Sequence, residues 1–371
     1  MENTCRELLA HCLKGEPWSA DLLDRALAVD DGRALLSIVV ERLADLFEPR
    51  LCDTYAALYH QVIERVAPPL LPRTRRAVSR LLPESADIVY VLSRITLGAD
   101  VAVTSVLLDA AKRRYPNAEI FFVGPEKNYQ LFEADPRVQN KPAPYVRNGS
   151  LAERLKASAR LWINDGIVLD PDSRLSQLGM LQVCPEEHYF FFESRSYGGE
   201  SDARLPDLAA LWAGDPAAKP YVAPLPSTEP SAAITVSLGV GENSAKRLGD
   251  DFERDLLRAL AETGQSVLVD LGGSEEERNR VERALQPGMR THSGAFAPFA
   301  AQIAQSQLFV GYDSAAGHVA SACGVPVISI AAGFVSERML ARWRPLGTVV
   351  RGDASNALAE VMELVKLAAN S

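Results

Sequence analysis

The chain has 371 residues, which is enough for two or three domains with a sizeable buried core. Apolar residues make up 47% of it and charged residues 23%, as in an ordinary soluble globular protein. The net charge of −9 excludes a surface that binds nucleic acid as a whole. There is no signal-peptide pattern and no run of 18 apolar residues, and the five cysteines are scattered without a CxxC pair. We therefore expect a cytoplasmic protein in a reducing compartment.

Residues 1–82 carry apolar side chains at intervals of three and four, and the last of these runs ends at Pro68 and Pro69. That spacing predicts helices rather than strands, so we expect an α-helical N-terminal domain. The basic stretch over residues 73–80 has two interpretations. It contacts anionic lipid at a membrane surface, or it pairs with the acidic body of the protein, which we favour.

From Ala86 onward the pattern changes to short, continuous apolar runs, as expected of strands buried on both faces. Residues 88–92 and 120–124 predict two such strands, and a helix is predicted between them over residues 101–114. Together they form a βαβ unit of the usual length. Further strands are predicted over residues 161–163, 166–169 and 188–192.

Five prolines lie between Asp215 and Ser231 and predict an extended linker between domains. Beyond the linker a second series of strands and helices begins with a strand over residues 234–238. We predict an α/β fold of two Rossmann-like, doubly wound domains, residues 83–222 and 223–371, preceded by the helical domain of residues 1–82. A cleft between the two α/β domains is the expected ligand site.

The most informative segment runs from Leu308 to Gly333. It predicts a buried strand, a polar turn, a short helix and a second strand, and the turn and helix hold the site candidates Asp313, Ser314, Gly317 and His318. Free amides at a helix N-terminus and a serine hydroxyl at the end of a parallel sheet suit a diphosphate. In the alternative interpretation, Asp313 and Ser314 only cap the helix and His318 is a packed residue.

A second candidate loop, GVGENSAKR over residues 239–247, directly follows the first strand of the second α/β domain. Its small and polar residues suit a loop that faces phosphate, and the donor-site candidates in it are Gly241, Asn243, Ser244 and Lys246. It lacks the third glycine of a dinucleotide fingerprint, which makes it weak evidence for NAD. The alternative is a solvated loop with a surface Lys-Arg pair.

Carboxylates provide the other candidates. Asp100, in the turn LGAD over residues 97–100, can accept a proton if it faces the cleft, or it caps the helix that follows. Glu275 is a candidate for ribose hydroxyls, although acidic residues are common at helix starts. The segment DPDSR over residues 170–174, together with Arg195, is a candidate for the acceptor side. No HExxH, DxD or other metal-ligand spacing occurs, so we predict neither a metal nor a cofactor.

The spacing Asp-Ser-x-x-Gly-His, followed by Ala-x-x-Gly-Val-Pro, closely resembles the C-terminal signature of the family 9 glycosyltransferases, the heptosyltransferase-like enzymes. The resemblance covers residues 86–335. It implies the two-domain GT-B fold and inverting, metal-independent transfer of a sugar from a nucleotide-diphospho-sugar donor to a saccharide, glycolipid or protein acceptor.

The resemblance also implies two residue roles: Lys246 neutralises the donor diphosphate, and Asp100 is the general base. This chain departs from the family at two positions. Ala99 stands between Gly98 and Asp100, and it either shifts the carboxylate or belongs to a different turn that reaches the same place. Leu248 or one of its neighbours lies where the family has Trp.

Two other functions remain open at this point. A nucleotide-sugar epimerase or hydrolase shares the two-domain architecture, and fold alone does not decide chemistry. A non-catalytic nucleotide-sugar-binding protein would fit the altered Gly-Ala-Asp sequence and the additional helical domain.

Overall fold

The computed structural model describes residues 2–75, 77, 79–143, 145–146, 148–241 and 243–369. Its N-terminal part is helical, as predicted, and we call residues 2–73 the helical region. The region also contains a π-helical segment, Leu35–Val40, that runs into α3, and 3₁₀ turns at Val29–Gly32 and Pro68–Arg73. The helices are α1 (Glu2–Lys14), α2 (Ala20–Leu27), α3 (Glu41–Asp45) and α4 (Pro49–Val66).

The helical region packs against the first α/β region. One apolar cluster joins the buried faces of α1, α2 and α4 to Leu151, Leu155 and Leu181. The hydroxyl of Tyr59 donates a hydrogen bond to Oε1 of Gln177 at 2.6 Å. Because these contacts are buried, the helical region shares an apolar cluster with the first α/β region and is not a separate appendage.

The first α/β region contains a five-stranded, fully parallel sheet in the order β3-β2-β1-β4-β5. Residues 161–163 do not form the predicted strand; they run irregularly, with the Ile163 amide donating to the Val183 carbonyl. The strands are β1 (Ile88–Leu92), β2 (Glu119–Gly124), β3 (Val138–Pro142), β4 (Ile167–Asp170) and β5 (Tyr189–Phe191), and the helices are α5 (Leu97–Ala99), α6 (Ser105–Arg114), α7 (Glu126–Tyr129), α8 (Leu151–Ser158) and α9 (Leu205–Trp212).

The second α/β region contains a six-stranded, fully parallel sheet in the order β11-β10-β9-β6-β7-β8. Its strands are β6 (Ile234–Ser237), β7 (Val267–Asp270), β8 (Arg290–His292), β9 (Leu308–Tyr312), β10 (Val327–Ile330) and β11 (Thr348–Val350). Its helices are α10 (Asp250–Glu262), α11 (Glu275–Ala284), α12 (Phe296–Ile303), α13 (Ala315–Ala322), α14 (Glu337–Trp343) and α15 (Ala354–Ala369).

The strand orders decide where a ligand can bind. Chain direction across the sheet reverses between β1 and β4 in the first sheet and between β6 and β9 in the second. Parallel α/β sheets bind ligands at such switch points, outside the carboxyl ends of the strands. The loops after these four strands contain Asp100, Asp172, Lys246 and Asp313, so the topology places the predicted site segments at two switch points.

The proline-rich segment has no regular secondary structure. Its first part lies on the first α/β region, where backbone hydrogen bonds join Ala223 to Leu131 and Ala134. Residues 224–231 are mostly exposed before β6 begins. An extended connection between the two sheets is what its proline content favours; the domain boundaries at residues 82 and 222 stay predictions.

The described arginines of the basic stretch pair with the protein itself, and Arg76 lies outside the described residues. Arg73 donates hydrogen bonds to the carbonyls of Ala159, Leu161 and Gln182. Arg75 and Arg80 both form ion pairs with Glu186. These contacts favour internal pairing over lipid contact. Within the described ranges no helix combines the length and apolar character needed to span a membrane.

Candidate active site

A cleft of about 710 Å³ lies between the two sheets. The loops after β1 and β4 line one wall of it, and the loops after β6, β7 and β9 line the other. The end of α3, in the helical region, lines it as well. The predicted cleft between two Rossmann-like halves therefore exists, and the helical region contributes to it, which the sequence did not indicate.

The start of α13 fits the predicted diphosphate site. Ser314 precedes the helix, yet its side chain accepts no capping hydrogen bond. Its hydroxyl oxygen is buried and has no partner among the described residues. The interpretation of Ser314 as an ordinary helix cap is therefore wrong, and the hydroxyl and the first amides of α13 are left for a ligand.

Lys246 lies beside this helix start. Its ammonium is 2.6 Å from Oδ2 of Asp313 and 3.3 Å from the Asp313 carbonyl. The ion pair is about four-fifths shielded from solvent. A cation held at a helix N-terminus adds to the positive end of the helix dipole, so this corner of the cleft is suited to an anion.

The rest of the loop after β6 divides into residues that reach the cleft and one that does not. Gly241 lines the cleft with a backbone φ of 60°, a conformation that favours glycine. Asn243 also lines it, and its side-chain oxygen accepts the Ala245 amide. Ser244 is exposed in the 3₁₀ turn Ser244–Lys246 and lies outside the cleft lining.

At the opposite end of the cleft, Glu277 takes the place expected for Glu275. Glu275 is exposed at the start of α11 and does not line the cleft, because the first helical turn directs it outward. Glu277, two residues further along α11, lines the cleft and accepts a hydrogen bond from the Gly273 amide at 2.9 Å. His292 stacks on Phe299 with ring centroids 5.1 Å apart and adds an aromatic wall there.

Gly317 and His318 lie on different sides of α13. Gly317 is buried against Phe309 and Pro345 and is outside the cleft lining, so its predicted closeness to a ligand is not seen. His318 lines the cleft and packs edge-on against Trp343, with ring centroids 6.1 Å apart. Burial lowers the pKa of His318, although Asp313 partly offsets this, so the imidazole is neutral near pH 7.

Asp100 does not reach the cleft. Its side chain has 0% exposure and is absent from the cleft lining. Each carboxylate oxygen accepts two hydrogen bonds, from Arg94 N, Ser93 Oγ, Thr104 Oγ1 and Asn128 Nδ2, all between 2.6 and 2.7 Å. A carboxylate with four donors and no open face is placed to hold this turn together. The expectation that it acts as general base does not fit this geometry.

The extra residue explains the displacement of Asp100. A π-helical turn spans Asp100–Thr104, and the Ser105 amide donates to the Asp100 carbonyl five residues back. A π turn is the way a helix takes up one additional residue. Ala99, whose insertion distinguishes this chain from the family pattern, lines the cleft itself, and Asp100 is turned inward behind it.

Two other carboxylates do line the cleft, on the wall formed by the helical region and the first α/β region. Asp172 has 1% exposure and pairs with Arg195 at 2.9 Å, while its second oxygen, Oδ1, has no partner among the described residues. Burial by itself raises the pKa of Asp172, but the Arg195 and Arg94 guanidiniums hold it below its ordinary value. Asp172 and Arg195 both line the cleft, and their place on the acceptor side stays a prediction.

The second carboxylate, Asp45, comes from the end of α3. It lines the cleft, and no hydrogen bond from another part of the described chain reaches its side chain. Burial raises the pKa of Asp45 to about 6, although the charges of Arg174, Lys246 and Arg94 act in the opposite direction. These cations belong to both walls, so Asp45 lies between the anion-binding corner and the acceptor side.

Phe47 fixes the position of Asp45. It is buried, and its ring packs edge-on against Trp343, with ring centroids 6.3 Å apart. The Phe47 carbonyl accepts a hydrogen bond from Arg338 of α14 at 3.1 Å. No local pattern in the sequence pointed to Asp45 or Phe47, because they lie outside the family resemblance and only long-range packing brings them to the cleft.

No group of three or more His, Cys, Asp or Glu side chains within the described ranges is arranged to hold a metal ion. Metal independence therefore stays a prediction.

The comparisons with known proteins agree with this geometry. Residues 214–362 match the model of glycosyltransferase family 9 (heptosyltransferase). No curated protein matches the chain.

Among solved structures, Escherichia coli ADP-heptose LPS heptosyltransferase II is 18% identical with a TM-score of 0.54, over 76% of this chain and 98% of that one. E. coli heptosyltransferase WaaC with ADP is 15% identical with a TM-score of 0.55, over 76% and 99%. The family 9 glycosyltransferase of Veillonella parvula DSM 2008 is 15% identical with a TM-score of 0.52, over 78% and 91%. At these identities the likeness concerns the fold.

Two parallel sheets that face each other across a cleft form the two-domain fold of the GT-B glycosyltransferases. The family match over residues 214–362 covers most of the second α/β region, including the start of α13. The match supports sugar transfer from a nucleotide-sugar donor and does not favour the epimerase or hydrolase alternative.

Proposed function

We propose that the protein transfers a sugar from a nucleotide-diphospho-sugar, with inversion and without a metal, to a hydroxyl of a saccharide-containing acceptor. The observation that carries this proposal is the unpartnered, buried Ser314 hydroxyl beside Lys246 at the start of α13. Buried polar atoms are normally satisfied, so this one is explained if a bound ligand supplies the partner.

The second α/β region would bind the donor. Lys246, the Ser314 hydroxyl and the first amides of α13 would receive the diphosphate, whose negative charge grows as the sugar departs. Groups that are already in place stabilise that charge without reorganising. Glu277 and the wall of His292 and Phe299 would face the nucleoside. Glu277 stands there in place of Glu275, which is exposed away from the cleft.

The nucleotide would be ADP in the first instance. The E. coli heptosyltransferase II structure is described as an ADP-heptose enzyme, and WaaC was solved with ADP. Both share the GT-B fold with this chain. ADP-heptose, or an ADP-hexose, is therefore the first donor to test.

The general base would be Asp45. A base that works near neutral pH needs a pKa not far below the working pH, and burial raises the pKa of Asp45 to about 6. Asp172 is held in its charged form by Arg195 and is a weaker proton acceptor. Asp172 would instead position the acceptor through its free oxygen Oδ1. In this mechanism Asp45 takes the proton of the acceptor hydroxyl as that oxygen attacks the anomeric carbon of the donor.

Calorimetric titration with ADP, GDP, UDP and dTDP, without added metal, tests the donor half. We expect one nucleotide to bind, and we expect Ser314→Ala to weaken it roughly tenfold or more, because a charge-assisted hydrogen bond is lost. Lys246→Ala should weaken it further. Lys219→Ala, at an exposed lysine outside the cleft, is the control.

Ser314→Ala separates a ligand-binding role from a structural one. The hydroxyl has no partner among the residues that the structure describes, so its removal should leave thermal stability unchanged or slightly raised. Binding of no nucleotide, or equal binding to wild type and both cleft variants, would refute the donor site.

A further inference from the structure

The side chain of Trp343, at the end of α14, reaches the cleft and is partly exposed. Groups from all three regions contact its indole. The rings of Phe47, from the helical region, and His318, from α13, both pack edge-on against it, with centroids 6.3 and 6.1 Å away. The guanidinium carbon of Arg94, from the loop after β1, lies over the ring, 5.5 Å from its centroid. Two aromatic neighbours and a cation over the ring hold the indole in one orientation.

The contact between Phe47 and Trp343 is formed at a cost in backbone strain. Phe47 has a φ of 53°, a left-handed conformation that is uncommon for a bulky residue. Its carbonyl also accepts a hydrogen bond from Arg338, on the same helix as Trp343. Strain of this kind persists where the surrounding contacts determine the conformation, and it is concentrated at functional sites. The ring contact and the hydrogen bond together tie Phe47 to α14 and fix the part of the cleft wall that the indole forms.

The indole N–H of Trp343 is an unused hydrogen-bond donor. Two other tryptophans use theirs: Trp18 donates to Gln61 at 3.4 Å, and Trp212 donates to Ser79 at 2.8 Å. Within the described ranges, no side chain or backbone group accepts a hydrogen bond from Nε1 of Trp343. The indole therefore offers an apolar ring and a free donor to a ligand in the cleft. A sugar ring has the matching features, since its faces carry C–H groups and its rim carries hydroxyls.

The neighbours of Trp343 relate it to both proposed halves of the reaction. His318 contacts the indole and belongs to α13, whose start is the proposed diphosphate site. Phe47 also contacts the indole and follows two residues after Asp45, the proposed base. In an inverting transfer the attacking hydroxyl and the departing group lie on opposite sides of the anomeric carbon. The sugar of the donor therefore has to lie between the start of α13 and Asp45, beside Trp343.

We propose that Trp343 binds the sugar of the nucleotide-sugar donor, with the exposed part of the indole against a C–H face of the ring and Nε1 donating to one of its hydroxyls. The inference rests on the proposed function, because it assigns the part of the cleft between the donor diphosphate and the base. It makes Trp343 a specificity-determining residue, which distinguishes the nucleotide-sugar from the free nucleotide. The residues already proposed for the donor, Lys246, Ser314 and Glu277, contact the nucleotide.

Calorimetric titration with pairs of ligands tests the proposal, each pair being a nucleotide and its sugar derivative: ADP and ADP-glucose, GDP and GDP-mannose, UDP and UDP-glucose, dTDP and dTDP-glucose. No acceptor is added, so that no sugar is transferred to one. For the pair whose nucleotide binds to the wild type, Trp343→Leu should weaken the nucleotide-sugar roughly five- to thirtyfold and leave the nucleotide within about twofold. Leucine keeps an apolar side chain in the wall but lacks the flat ring and the N–H.

A conservative variant and a control complete the test. Trp343→Phe keeps a flat ring, so it should recover most of the affinity for the nucleotide-sugar. The protein has four tryptophans, and in the wild type the nucleotide-sugar should change their fluorescence emission in a way that the nucleotide alone does not. That difference should be absent in Trp343→Phe, which decides the matter if Trp343→Leu fails to fold. Trp162→Leu is the matched control, because Arg73 lies over its ring at 5.4 Å but the residue is 47% exposed and outside the cleft lining.

The inference is overturned if Trp343→Leu weakens the nucleotide and the nucleotide-sugar equally, or weakens neither, because the side chain would then act on the fold alone or not at all. It is also overturned if the sugar-dependent change in emission persists in Trp343→Phe. Titration of the wild type with the nucleotides separates this failure from that of the proposed function. Nucleotide binding with either of these results would reject the role of Trp343 alone, whereas absence of nucleotide binding would reject the donor site as well.

Discussion

At the scale of single residues, Asp45 combines a cost in stability with a role in catalysis. The folded protein holds its pKa at about 6, above the ordinary value of 3.8, mainly because of burial. The folded state thus favours the protonated form, so Asp45 lowers stability as the pH rises from about 4 through 6. Asp45→Asn should remove that cost, which is at most about 3 kcal/mol at pH 8, and make no difference below pH 4. Urea unfolding at pH 4 and pH 8 measures both.

Asp45→Asn should also remove the group that accepts the proton during sugar transfer. In the wild type, transfer should fall as the pH falls through about 6, and Asp45→Asn should lower kcat by roughly a hundredfold or more without weakening nucleotide binding. Asp172→Asn is the comparison. If the limb near pH 6 persisted in Asp45→Asn and disappeared in Asp172→Asn, the base would be Asp172.

For Asp100, in contrast to Asp45, we expect substitution to lower stability and to leave catalysis intact. An asparagine there would turn an N–H₂ group toward two of the four donors that now surround the carboxylate. Two buried donors would lose their acceptor, and Asp100→Asn should cost about 2–5 kcal/mol of stability. Denaturant unfolding checks the loss. Activity per folded molecule, measured well below the unfolding temperature, should remain, and its complete loss at unchanged stability would restore Asp100 as the base.

At the scale of elements, local sequence patterns predicted the strands and helices but not every side-chain orientation at the cleft. The segment of residues 308–333 predicted β9, α13 and β10, because an apolar run, a polar turn and helical spacing are local patterns. Lys246 and Ser314 were expected together, because strand ends of one parallel sheet share an edge. The inward turn of Asp100 was not predictable, since a single π turn changes which side of a helix a residue faces. Asp45 was not predictable either, because no local pattern shows which surface a helical region will cover.

The contact between α4 and the first α/β region carries an element-scale prediction. Oε1 of Gln177 accepts the Tyr59 hydroxyl, while its Nε2 donates to the Arg174 carbonyl at 2.9 Å. Tyr59→Phe should leave that buried oxygen unsatisfied and cost about 1–3 kcal/mol. Urea unfolding gives the value. Tyr129→Phe is the matched control, since that hydroxyl makes a longer bond of 3.3 Å at a partly exposed position. An equal, small cost for both would mean that the helical region is only loosely attached.

At the scale of the whole molecule, α14 connects the three regions. Arg342, with 0% exposure, donates to the carbonyls of Tyr197 and Gly199 in the first α/β region, at 3.1 and 2.8 Å. On the same helix, Arg338 donates to the Phe47 carbonyl of the helical region. A helix of the second α/β region therefore holds the other two regions at the cleft, and the cleft's geometry depends on these bonds.

Arg342→Met should remove these two bonds while keeping most of the buried stem in place. We expect faster amide hydrogen exchange around residues 197–199 and a larger radius of gyration by small-angle scattering, because the two α/β regions separate more readily. Nucleotide affinity should change little, because the proposed donor groups all belong to the second α/β region. Transfer should fall, because Asp45 and Lys246 come from regions that α14 keeps together. Arg344→Met, at the exposed arginine two residues further on, should alter none of these quantities, and a similar effect in both variants would show that α14 does not set the geometry of the cleft.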